Sequence, residues 1–72
     1  MRTVKISTFY DKTESGLEQV DLVDVYITSD ERNGRPTTHI AEGSLSFESD
    51  TGMISAFNEA DGEWVDQFTI KS

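Results

Sequence analysis

Carboxylates are the residues in this chain whose type and spacing could do chemistry. Residues 36–70 hold seven of them, Glu42, Glu48, Asp50, Glu59, Asp61, Glu63 and Asp66, and no Lys or Arg. The same stretch holds Leu45, Phe47, Met53, Phe57, Trp64, Phe68 and Ile70. Two carboxyls in a shaped, partly dry cleft can divide acid and base roles. Among fourteen acids some pairs fall close by chance, and no spacing here singles one out. No cleft-building motif accompanies them, so the expectation is a protein that is not an enzyme.

Other chemistries are thinly represented. With no Cys, disulfides, thiolate zinc sites and Cys nucleophiles are excluded. One His leaves no multi-histidine metal site within one chain. His39 has a pH-switch reading and a plainer one as a surface imidazole, and nothing nearby supplies a nucleophile for a triad. Setting Gly62 as the glycine of an EF-hand loop puts Phe57 and Phe68 at ligand positions, so that match fails. Phosphate-loop and dinucleotide fingerprints are absent. No cofactor and no metal are expected.

The charge balance narrows the partners. Fourteen acids against six bases give a net charge of −8. Residues 1–35 are nearly balanced, with five bases and seven acids, so the excess lies in the second half. Such a chain is repelled by nucleic acid and anionic membranes and attracted to basic surfaces. Its aromatics lie among acids, which argues against direct nucleic-acid binding. There is no apolar run of signal-peptide or membrane-spanning length. A cytoplasmic protein is expected, with no membrane association.

Positioning these carboxylates requires strands. At 72 residues there is room for one domain, residues 1–72, and one small core. Residues 2–10 alternate as a strand, with Val4, Ile6, Thr8 and Tyr10 on one parity. Residues 11–21 read as a loop; the alternative is a short helix near residues 15–21, opened by Ser15 and Glu18 as a capping box, giving an α+β fold. Residues 22–28 form a strand with Val23, Val25 and Ile27 inward. Residues 39–48 form the next, with Ala41, Leu45 and Phe47 inward.

Parity rules out a two-residue hairpin at Asn33-Gly34 and selects a five-residue loop, residues 32–36. That loop sets Val23 beside Leu45 and Ile27 beside Ala41, and projects Arg32 and Arg35 into solvent. A three-residue turn at Asp50-Thr51-Gly52 sets Phe47 beside Ser55. A type I′ turn at Asp61-Gly62 sets Phe57 beside Asp66. The expected fold is all-β, a small antiparallel meander of about five strands in a curled sheet or half-barrel. Met53, Phe57, Trp64, Phe68 and Ile70 complete its inner face. Asp66 is read as an inward charge on an edge strand, opposing aggregation. Glu59, Asp61 and Glu63 are expected around a turn near the loop arginines.

In such a meander the 11–21 connection and the Asp50 turn share one end. That end gathers Asp11, Glu14, Glu18, Asp21, Glu48 and Asp50 against Lys12 and Lys71. Asp24 and Glu42 extend the charge along the second face, with Tyr26 and Ile40 as a buried anchor. Carboxylates spaced along a β-surface can imitate a row of phosphates and occupy a Lys/Arg groove. The size and charge are similar to those of phage-encoded inhibitors of host nucleases or defence complexes, anti-CRISPR proteins among them, some of which mimic DNA. That likeness is one of composition, with no motif behind it. The expected function is a non-catalytic inhibitor or regulator of a basic, nucleic-acid-binding protein or nucleoprotein. Expected binding residues are Glu14, Glu18, Asp21, Asp24, Tyr26, Ile40, Glu42, Glu48 and Asp50. The alternative is an assembly module that homodimerises or docks through its sheet.

Overall fold

A computed structural model describes residues 1–70. The chain is an all-β fold of five strands in one open sheet: β1 (Arg2–Thr13), β2 (Gly16–Ile27), β3 (Leu45–Glu48), β4 (Met53–Asn58) and β5 (Glu63–Thr69). They lie side by side in chain order. One ladder departs from a meander, because β2 and β3 run parallel. The sheet is therefore mixed.

The first hairpin is longer than its composition suggests. β1 and β2 pair from Arg2↔Tyr26 to Thr13↔Gly16, leaving Glu14 and Ser15 as a two-residue turn. The expected loop over residues 11–21 is thus strand almost throughout, and no helix forms at 15–21. A bulge at Ile6 shifts the register by one residue midway. Twelve residues at roughly 3.4 Å each give a strand about 40 Å long, which matches the 44 Å long axis of the molecule. The outer part of this hairpin forms an arm, with Phe9, Tyr10 and Leu17 exposed.

From Ile27 the chain must travel back before β3 can run parallel, and residues 28–44 do this. They begin as a 3-10 turn, Ser29–Gly34. Glu31 Oε1 accepts the Thr28 N–H at 3.0 Å, and the Glu31 N–H reaches the Thr28 carbonyl at 3.0 Å, which closes the start of the turn. The return then reaches Ile40, which bridges Asp21 in parallel. Only Leu45–Glu48 of the expected strand over residues 39–48 is a strand.

The crossover covers one face of the sheet. Arg32 and Arg35 do not project into solvent as expected but turn down onto it. Arg32 Nε and Nη2 each donate to Glu48 at 2.6 Å. Arg35 Nη1 donates to Ser46 Oγ at 3.2 Å, with its guanidinium 5.4 Å from the centre of the Trp64 ring. Trp64 Nε1 donates to the Pro36 carbonyl at 2.9 Å. Beneath this strap lie Val23, Val25, Ile27, Ile40 and Phe57, with Trp64 packed edge-on against Phe57. Ser46, Glu48 and Ser55 are buried on the same side.

Leu45 and Phe47 therefore point the other way, against the expected inner face. The register places two rows across all five strands on that open side. One is Val4, Asp24, Leu45, Ala56, Val65; the other is Arg2, Tyr26, Phe47, Ile54, Phe68. Ile54 is buried there, and Phe68 and Ile70 are exposed rather than core. Tyr26 stacks on Phe47 with ring centres 5.3 Å apart, and Arg2 lies 4.7 Å over Tyr26.

Both tight turns are longer than expected, the first by one residue and the second by two. Residues 49–52 and 59–62 form four-residue turns, each closed by the N–H of its last glycine on the residue before the turn, at 2.8 Å. Leu45 consequently pairs with Ala56 and Phe57 with Trp64. Gly52 has φ +77°, and a Cβ there would collide with the Ile70 carbonyl oxygen. β5 is an edge strand as expected, and Asp66 Oδ1 accepts from Ser55 Oγ at 2.8 Å.

The Arg32 guanidinium and the Thr51 hydroxyl hold the Glu48 carboxyl below its ordinary value of 4.5, outweighing its burial. A depressed folded value stabilises the fold fully above the unfolded value and stops doing so as pH falls through the folded one. Stability should thus decline as pH drops below about 4.5, and Glu48→Gln should flatten that decline while costing about 2 kcal/mol at neutral pH. Chemical denaturation of both proteins from pH 3 to 7, steps of about one unit being enough to resolve it, checks this. Parallel curves would remove the pair from its role.

Candidate functional site

Most acids of this chain have internal partners among the described residues. Glu48 is 2% exposed and held by Arg32. Asp50 accepts from the Ser29 hydroxyl at 2.6 Å and the Ser29 N–H at 3.0 Å, which lowers its pKa. Asp21 accepts from Thr8 Oγ1 at 3.0 Å and Gln19 Nε2 at 3.3 Å, with Lys5 Nζ at 3.8 Å; the Thr8 bond does most to lower its pKa. Ile40 is buried in the core and cannot anchor a partner. Of the expected binding set, Ile40 and Glu48 are buried, and Asp21 and Asp50 are engaged in internal hydrogen bonds.

The parallel ladder also divides the expected acidic end. β3 runs with β2, so the turn after Glu48 lies beside Ile27, as the Ser49 N–H to Ile27 carbonyl bond of 2.9 Å shows. Glu14 sits at the arm tip, at the opposite end of β2. Asp50 and Glu14 do not share a surface. Asp24 and Tyr26 lie on the open sheet face. Lys71 lies outside the described residues.

Carboxylates do converge, around the root of the arm. Asp11 and Glu18 sit directly opposite each other across the β1–β2 ladder. Like charges so placed repel. The β4–β5 turn delivers Glu59 to Asp11. Glu42 Oε1 accepts the Glu59 N–H at 2.7 Å, which fixes that turn against the crossover. Glu59 therefore stands in this cluster, while Trp64, next to Glu63 on the other side of the turn, lies against Arg35. Loss of solvent, then contact with Asp11, then the fields of Glu42 and Glu18 push the Glu59 carboxyl above its ordinary 4.5.

An open cleft runs through the cluster, with Val20, Ile40 and Phe57 as its floor and Asp11, Glu18, His39 and Glu59 on its walls. His39 holds a left-handed backbone, φ 60°, because its carbonyl must meet the Asp21 N–H at 2.8 Å. Its Nδ1 lies 3.1 Å from both Glu18 Oε1 and the Gln19 carbonyl. Beside the cleft Phe9, Tyr10, Val20 and Ala41 form an apolar shoulder. Among the described residues no group of three or more His, Asp or Glu is placed to hold a metal ion.

The arrangement can therefore offer a concentrated negative charge next to exposed aromatic surface. Glu18 and Glu42 were legible from sequence as candidates. Asp11 belongs to the acidic end that the sequence predicts but not to the expected binding residues, and Glu59 is expected at the loop arginines instead. The signal for Glu59 is its place as the first of the four turn residues that end at Gly62, which sets how far the turn reaches.

Glu59 also makes the cluster measurable. Below its ordinary pKa of 4.5 the carboxyl is protonated whether the chain is folded or not; as pH rises through the raised folded value, ionisation among Asp11, Glu18 and Glu42 takes stability away. Glu59→Gln should raise the melting temperature at neutral pH, and the gain should vanish below pH 4.5. A neutral-pH melting temperature unchanged or lowered by the substitution would show that the cluster is not under strain. The chain has no match among protein-family models, curated proteins or solved structures.

Proposed function

We propose that this protein is a non-catalytic binding protein that inhibits or regulates a basic, nucleic-acid-handling partner through the arm-root cluster. The observation that carries this reading is the convergence of Asp11, Glu18 and Glu59 on one cleft, with Lys12 beside it and Glu42 bonded to the Glu59 N–H at its edge. Three elements far apart in sequence meet there, and they meet at a cost, because like charges are pressed together. Incoming Lys or Arg side chains relieve that repulsion. Their attraction also acts at long range, which speeds encounter at low salt.

The aromatic arm supports the same reading. Phe9 is 49% and Tyr10 64% exposed, next to the carboxylates. Side chains of this kind supply the apolar anchor that charge alone lacks. Carboxylates on a β-arm would stand in for phosphates along a groove, so the partner's own nucleic acid competes for the same surface.

The tagged protein should capture a basic protein or nucleoprotein from a host lysate at low salt and release it at high salt. Binding should compete with the partner's nucleic acid. The double substitution Glu18→Lys with Glu59→Lys should weaken capture about 100-fold or more, because two attractive contacts become repulsive, and should flatten the salt dependence. Asp50→Asn, at the far end, should leave capture intact. Capture that survives the double reversal, or that high salt does not disturb, refutes the acidic-site reading.

A further inference from the structure

We infer that the open face of the sheet is a self-association surface, covered in solution by the same face of a second copy. A sheet with one apolar face uncovered lacks its second layer. Here the crossover covers one side only, and eight of the ten residues in the two cross-sheet rows opposite are apolar. Five strands about 4.8 Å apart, taken over the two side-chain rows about 7 Å apart, give a plane of roughly 24 by 14 Å. That lies within the roughly 300–600 Å² seen for the largest patch on a monomer.

Charge selects the occupant. The chain carries −8 overall. The two rows carry one Arg and one Asp, Arg2 and Asp24, and so no net charge. A strongly acidic chain can meet its own copy only through a neutral surface, and these rows provide one. A basic partner has no reason to prefer this face over the arm root.

The placement of the two charges fixes the symmetry. Consider a two-fold axis running across the strands, midway between the rows. It lays the row of Val4, Asp24 and Leu45 over the row of Arg2, Tyr26 and Phe47 from the second copy. Each Arg2 then lies one strand spacing sideways from Asp24 of the second copy, and Leu45 packs on Phe47. Asp24 is half-buried, with no side-chain hydrogen bond among the described residues, so it gains a partner on association. The contact is isologous, so the pair forms twice. Two sheets packed in this way stand about 10 Å apart and share a core neither has alone.

Dimerisation goes beyond the arm-root reading and fails separately from it, since it should persist at the high salt that releases a basic partner. Sedimentation equilibrium of the purified chain should give twice its 8.1 kDa mass. Val65 is 43% exposed on an edge strand, so Val65→Glu should leave the circular dichroism unchanged. It should weaken the dimer about 100-fold. Arg2→Glu and Asp24→Arg should each yield monomers, and an equimolar mixture of the two should recover a heterodimer. A parent chain that stays monomeric at about 100 μM overturns the inference. A dimer that Leu17→Lys on the arm dissociates, but Val65→Glu does not, overturns it equally.

Discussion

The bidentate pair between Arg32 and Glu48 is the interaction on which the rest of the structure depends. Glu48 ends β3 on the covered face at 2% exposure. A carboxylate so placed remains ionised only with a close counter-charge and filled hydrogen bonds. Arg32 supplies two bonds and Thr51 a third at 2.7 Å. Because Arg32 belongs to the segment between β2 and β3, satisfying Glu48 ties that segment over the sheet. A chain that crosses a face and returns to the start of β2 then enters β3 in parallel. The pair and the topology require each other.

The same constraint explains which side of β3 faces the core. Alternation along residues 39–48 pointed Leu45 and Phe47 inward, because apolar parity ordinarily marks the buried side. Ser46 and Glu48 lie inward instead, since the covering layer is itself polar, made of guanidinium groups and backbone. Local pattern carries no information about the chemistry of a distant lid. On β2 and β4 the rule holds: Val23, Val25, Ile27 and Phe57 are inward by parity and all are buried.

Other features divide along similar lines. Strand identity was legible wherever β-branched and aromatic residues alternate, and so was the all-β class. The arm was not, because Asp-Lys-Thr-Glu-Ser-Gly has loop chemistry, yet its flanks pair across a two-residue turn at Thr13↔Gly16. Turn glycines were recognised, but each closes a four-residue turn, so the pairing moved by one residue at β3–β4 and by two at the start of β4–β5. The odd shift exchanges faces and the even one preserves them. Trp64 accordingly kept its expected side beside Phe57, while Leu45 did not. For the acidic site, residue type was legible and position was not: the single parallel ladder sends Asp50 to one end and Glu14 to the other.

The acids thereby fall into two groups with opposite energetic roles. Glu48, Asp50 and Asp21 have lowered pKa values because hydrogen-bond donors meet them, so they hold the fold together. Glu59 has a raised one because solvent is lost and further carboxylates meet it, so it works against the fold. A small domain has little stability to spare. A cation that binds the folded cluster, and not the unfolded chain, shifts the equilibrium toward the folded state. Relief of the repulsion at the arm root is then one contribution to the affinity proposed for basic groups. Repulsion present in the free protein is what a cationic partner removes on binding, and the gain in stability equals the preference of that partner for the folded chain.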